Sequence, residues 1–158
     1  MLTKVAQELH SLLLKSGKKI SFAESCTGGM LQKQITDISG SSSYFEGGFV
    51  VYSNRLKTKL LNVPEEVLEQ HGAVSSECAV AMVQGLREAI NADLCISVTG
   101  VAGPTGGSVE KPVGSVWFGF YFDEEINSVY QYFEGSRSEV REQATLYALK
   151  TVMDYLKS

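Results

Sequence analysis

A chain of 158 residues, 44% of them hydrophobic, is long enough to bury a core without disulfides, and its composition fits one compact domain over residues 1–158. The formal net charge is -4 and the lysines and arginines are dispersed, which leaves no basic stripe for a phosphate backbone, so no direct nucleic-acid ligand is expected. Cys26, Cys78 and Cys95 match neither a zinc knuckle nor a disulfide framework, and no apolar run approaches the ~20 residues that cross a bilayer, so the expectation is a cytoplasmic protein with no membrane partner.

Leu2, Val5, Leu9, Leu12 and Leu13 recur at helical spacing, and Gly17 stops that helix. Lys4, Gln7, Glu8 and His10 interrupt what would otherwise be a signal-peptide core. Lys19 to Ala23 reads as a short strand, Ser25 to Gly29 as a small-residue turn, and Leu31, Ile35 and Ile38 as the apolar face of a second helix. Phe45 to Tyr52, rich in aromatic and β-branched residues, suits a buried strand, with Ser53 or Asn54 capping a helix that runs to Leu61. Pro64 starts another short helical piece.

Ser75 and Ser76 precede the apolar face of Val80, Val83, Leu86 and Ile90, and Leu94 to Val98 follows as a fully buried strand. A glycine-rich loop comes next. Val113 to Phe122 alternates, Asp123 to Glu125 supplies a polar turn, and Ser128 to Phe133 returns, which predicts a hairpin. Ser136 and Glu139 form a capping box ahead of a last helix whose face carries Val140, Ala144, Tyr147, Ala148, Val152 and Tyr155. Helices flanking single strands, with one hairpin, predict an α/β fold: a three-layer α/β/α sandwich around a mixed β-sheet.

Four constellations are candidates for chemistry. Glu24-Ser25-Cys26-Thr27-Gly28-Gly29 places a hydroxyl, a thiol and two glycines where a strand gives way to a helix, where free N–H groups can stabilise an oxyanion or a phosphate. Plain capping by Ser25 or Thr27 is the commoner use of such residues. Lys57 stands in the first helical turn after Tyr52-Ser53-Asn54, against the helix dipole, either as a solvated surface lysine or as a base. A lysine base needs its pKa to fall by roughly 3 units, about 4 kcal/mol of desolvation or like-charge repulsion.

The loop Thr99-Gly100-Val101-Ala102-Gly103-Pro104-Thr105-Gly106-Gly107 reads as a binding loop, because its glycines cost conformational entropy that a plain connection does not require. It matches neither a P-loop nor a dinucleotide fingerprint. Arg137 and Arg141 share one face at the start of the last helix, suited to a phosphate or carboxylate or to surface pairing with Glu134 or Glu142. The two histidines, His10 and His71, lie outside these segments, which favours a lysine base over a histidine triad and leaves no recognisable metal site.

The strings Ala23-Glu24-Ser25-Cys26-Thr27-Gly28-Gly29, Phe49-Val50-Val51-Tyr52-Ser53-Asn54, Thr99-Gly100-Val101-Ala102-Gly103-Pro104, Gly106-Gly107 and Lys111-Pro112-Val113-Gly114, in this order, resemble the C-terminal domain of competence-damage-inducible protein A. That resemblance implies hydrolysis of the carboxamide of nicotinamide mononucleotide, giving nicotinic acid mononucleotide and ammonia, with no cofactor or metal. It implies Ser25 as nucleophile, Lys57 as general base and Tyr52 as an orienting or proton-shuttling group. Cys26, Thr27, Gly28, Gly29, Asn54, Thr99 and the loop with Gly100, Ala102, Gly103 and Gly106 would form the substrate pocket. Arg137 and Arg141 would complete it, Arg141 supporting the lysine or holding the phosphate. A homodimer is implied as well. Leu56 and Asn62 stand where the family often has alanine and glycine, and Ser136 replaces a frequent aspartate. Two other readings stay open: Cys26 as the nucleophile, and a non-catalytic pyridine-nucleotide-binding or regulatory module linked to competence.

Overall fold

The computed structural model describes residues 1–158. In chain order the elements are α1 (Leu2–Ser16), β1 (Ile20–Glu24), α2 (Met30–Thr36), a 3-10 turn (Ser41–Ser43), β2 (Phe49–Val50), α3 (Asn54–Leu61), α4 (Glu65–His71), α5 (Ser76–Ile90), β3 (Leu94–Gly100), β4 (Ser115–Phe122), β5 (Glu125–Tyr132) and α6 (Arg137–Lys157). The five strands form one mixed sheet in the order β2-β1-β3-β4-β5, parallel across β2, β1 and β3 and antiparallel from β3 to β5.

Alternation along the strands sorts the core onto two faces. Phe22, Ile96, Val98, Phe118 and Phe120 pack with Leu9 and Leu13 of α1, Leu31 and Ile35 of α2, and Val140, Ala144 and Leu149 of α6. Ala23 and Cys95 face the other way, against Leu61 of α3 and Met82, Val83 and Leu86 of α5. The expected three-layer α/β/α architecture is therefore present. The 101–114 loop and the β4–β5 hairpin follow β3, and Asp123 and Glu124 both turn with positive φ (48° and 71°).

Local signals set most boundaries. Gly17 ends α1 in the left-handed conformation, Ser75 Oγ accepts from Cys78 N at the start of α5, and the Ser136–Glu139 capping box opens α6. The expected strand from Phe45 to Tyr52 is a correction: only Phe49–Val50 pairs with β1, and Phe45 makes an isolated bridge to Ile20. Gly47 and Gly48 interrupt the run; Val50 is exposed at the sheet edge, and Val51, just past the paired residues, is buried with Leu61 and Met82.

The chain order matters for function. From β1 it passes through α2 to β2 on one side and then through α3 to α5 to β3 on the other, so β1 is the point where the winding reverses. Ligands of open α/β sheets bind beyond the carboxyl ends of the strands at such a point. Here Ser25, residues 51–53 and the 101–114 loop all leave the sheet at that end.

Candidate active site

Ser25 is the first residue past β1. Its N–H donates to Val98 O at 2.9 Å, continuing the pairing with β3, and the chain then coils: Gly28 N donates to Ser25 O and Met30 N to Thr27 O, both at 3.1 Å. The N–H groups of Cys26 and Thr27, inside this coil, meet no acceptor on any other residue, the Cys26 N–H lying against its own thiol. In a helix-like turn such groups point toward its beginning, which is Ser25.

Lys57 arrives from α3. Ser53, rather than Asn54, caps that helix by accepting from Leu56 N at 3.1 Å, and Lys57 is its fourth residue. Close packing of α3 on α5 requires Gly85, where a β-carbon would run into the Leu61 carbonyl. The lysine is 2% exposed, and its ammonium donates to Ser25 Oγ at 3.1 Å and to Tyr52 O at 3.4 Å. No carboxylate pairs with it. Burial lowers its pKa below the usual 10.5, the nearby Cys78 and Cys26 pushing weakly the other way. Desolvation, not a neighbouring cation, is therefore what favours the neutral amine.

Sequence reasoning missed the role of Glu24. Its fully buried carboxylate accepts five hydrogen bonds: from Thr27 Oγ1, the N–H groups of Gly29, Leu31 and Gln32, and Gln32 Nε2. The donors at the start of α2 are thus taken by the protein's own anion. That corrects the expectation that they lie open to a ligand, and only the Cys26 and Thr27 N–H groups remain. The signal was an acidic residue just upstream of a helix start, where the macrodipole favours it.

Other candidates have specific placements. The Thr27 hydroxyl donates to Glu24 Oε1 at 2.6 Å and that of Thr99 to Ala73 O at 2.9 Å, so each is engaged within the protein. Cys26 is buried, and burial pushes its thiol up to about 12. Tyr52 is 59% exposed, and its phenol accepts from Arg137 Nη2 at 2.8 Å; the main-chain carbonyl, not the phenol, meets Lys57. Gly100 ends β3, Ala102 is buried, and Gly106 turns with φ of 91°. Arg137 Nη1 donates to Gly103 O at 2.7 Å, bridging the glycine loop to Tyr52. Arg141 grips the coil itself, from Nε to Cys26 O at 3.0 Å and from Nη2 to Thr27 O at 3.2 Å. Neither arginine pairs with Glu134 or Glu142.

Gly28 and Gly29 shape the coil with positive φ. Asn54 borders a groove of about 600 Å³ whose lining includes neither Ser25 nor Lys57. No cluster of three or more histidine, cysteine, aspartate or glutamate side chains is placed to hold a metal. No helix is long and apolar enough to cross a membrane.

Comparison with known proteins matches residues 2–156 to the model of the CinA C-terminal domain. The chain is 48% identical over 152 residues to the nicotinamide-nucleotide amidohydrolase PncC of Escherichia coli K12, covering 96% of this chain and 92% of the relative. It is 45% identical over 149 residues to a CinA-like protein of Petrotoga mobilis, covering 94% of this chain but only 37% of that relative's length. Among solved structures, competence damage-inducible protein A of Klebsiella pneumoniae superposes with a TM-score of 0.95 at 32% identity, over 99% of this chain and 97% of the other.

Proposed function

The chain belongs to the CinA C-terminal domain family, and on that premise we propose that it hydrolyses the carboxamide of nicotinamide mononucleotide to nicotinic acid mononucleotide and ammonia, with Ser25 as nucleophile and Lys57 as base. The observation that carries this reading is the buried contact between Lys57 Nζ and Ser25 Oγ at 3.1 Å. A lysine desolvated without a carboxylate partner is the kind that can take a hydroxyl proton.

In the first step neutral Lys57 accepts the Ser25 proton as Oγ bonds to the amide carbon. The developing oxyanion meets the unpaired N–H groups of Cys26 and Thr27. Collapse breaks the C–N bond, and Lys57 returns the proton to the leaving nitrogen, releasing ammonia. Water then enters, gives a proton to Lys57 and bonds to the acyl carbon; the ester breaks, Ser25 recovers its proton from Lys57, and the released acid gives its proton to ammonia, leaving carboxylate and ammonium. One water is consumed per amide. Arg137, without a carboxylate partner, gives the substrate phosphate a favourable field.

Two features weigh against a Cys26 nucleophile. Its thiol is raised to about 12 by burial, and it is Ser25, not Cys26, that hydrogen-bonds to the lysine. The cytoplasmic placement is part of this proposal, in keeping with three free, buried cysteines, and so is the homodimer. The test is ammonia release from nicotinamide mononucleotide by the purified protein. Tight binding with no product would select the non-catalytic alternative, and turnover surviving Ser25→Ala would reject the nucleophile.

A further inference from the structure

Glu24 and Arg141 both hold the coil that follows Ser25, the carboxylate through its donors and the guanidinium through two of its carbonyls. The geometry points to a common role for the two as positioning residues that organise the Cys26 and Thr27 N–H groups as the oxyanion hole, Arg141 acting through the backbone rather than as a phosphate ligand. This inference rests on the hydrolase reading above.

Planarity of the peptide bond is the central argument. The carbonyl and N–H of a trans peptide point in opposite directions. Arg141 Nε fixes the carbonyl of Cys26 at 3.0 Å, so the Thr27 N–H of the same peptide is turned away from the arginine, toward the beginning of the coil. Nη2 holds the next carbonyl, that of Thr27, at 3.2 Å. A cation on the carbonyl also polarises the peptide and strengthens its N–H as a donor.

Glu24 determines which donors remain. Its carboxylate takes the N–H groups of Gly29, Leu31 and Gln32 and the hydroxyl of Thr27, while those of Gly28 and Met30 go to the carbonyls of Ser25 and Thr27. Cys26 and Thr27, both buried, keep the only N–H groups of the coil without an acceptor on another residue. Buried backbone donors are nearly always paired, so two adjacent exceptions beside a serine held by a lysine mark a place for a developing negative charge.

The experiment compares wild type, Arg141→Ala, Arg141→Lys and Glu24→Gln on nicotinamide mononucleotide and on its phosphate-free nucleoside. In parallel, the rate of Ser25 labelling by a fluorophosphonate is measured, a reaction that also needs an oxyanion hole. Far-ultraviolet circular dichroism and melting confirm that each variant is folded. The expected result for Arg141→Ala is a ~100-fold fall in kcat with KM little changed. The loss should be equal on both substrates, labelling should slow by ~10-fold or more, and added guanidinium should restore part of the rate. Glu24→Gln should behave similarly without guanidinium rescue.

A rise in KM confined to the phosphorylated substrate, with unchanged labelling, would overturn the inference and make Arg141 a phosphate ligand. A wild type that labels at Ser25 but does not turn over the nucleotide rejects the substrate reading while the labelling rates still decide this one. A wild type inert in both assays overturns both.

Discussion

Gly28 lies so close to the guanidinium of Arg141 that a β-carbon at this position would stand 2.9 Å from Nη2. With φ at 58°, the residue also occupies a conformation that side chains adopt only at a cost. Gly28→Ala is expected to destabilise the protein by about 1–2 kcal/mol and to lower kcat by displacing Arg141. Urea denaturation and steady-state kinetics check both, and undiminished activity would show that the arginine's grip on the coil is dispensable.

Lys57→Met keeps the length and burial of the side chain but removes the amine. Activity should fall by about 100-fold to 10,000-fold. Stability should stay within about 1 kcal/mol of wild type or rise, because a buried amine without a carboxylate partner is replaced by an apolar chain. A large loss of stability in chemical denaturation would mean that Lys57 serves the fold instead.

Because the folded pKa of Lys57 lies below the usual 10.5, the unfolded chain binds more protons than the native protein between those two values. Stability therefore increases as pH rises through that window and is flat above it, where both states are neutral. Subtracting the profile of Lys57→Met isolates this contribution. The kcat/KM profile should show a rising limb with its midpoint below 10.5, since only the neutral amine is a base. A stability difference that falls with rising pH would contradict the assignment.

Glu24→Ala leaves the Gly29, Leu31 and Gln32 N–H groups and the Thr27 hydroxyl without their acceptor in the interior. A loss of about 3–5 kcal/mol is expected, greater than for Glu24→Gln, which keeps one acceptor oxygen. Equal stabilities for the two variants would show that the hydrogen bonds do not carry the effect.

At the β4–β5 turn, Glu124 has φ at 71°, and Glu124→Gly should stabilise the protein by about 0.5–1 kcal/mol by removing strain at a position that two-residue hairpins reserve for glycine. Asp123 is retained for its ion pair with Lys18. A lower melting temperature would refute this.

Much of the layout was legible because it depends on near neighbours. The period of Leu2 to Leu13, the Gly17 stop, the Ser75 cap and the Ser136–Glu139 box each involve residues within a turn or two of one another. The Phe45–Tyr52 run misled because β-branched and aromatic content is shared by edge positions and buried strands, and the difference lies in what packs alongside. Ser25 and Lys57 stood out as residue types at suggestive places, yet capping was the commoner use of the one and spacing alone did not exclude a solvated surface position for the other.

Composition, period and punctuation by themselves determined the layered α/β class and the order of its helices and strands, and singled out the segments proposed here for chemistry. Only the tertiary structure decided that an amine and a hydroxyl 32 residues apart touch, that Glu24 is spent on α2, and that Arg141 faces two carbonyls rather than a carboxylate. The reason is physical: local conformation follows from interactions over a few residues, whereas desolvation and the meeting of distant side chains depend on how sheet register and helix packing bring separate segments to one end of the sheet.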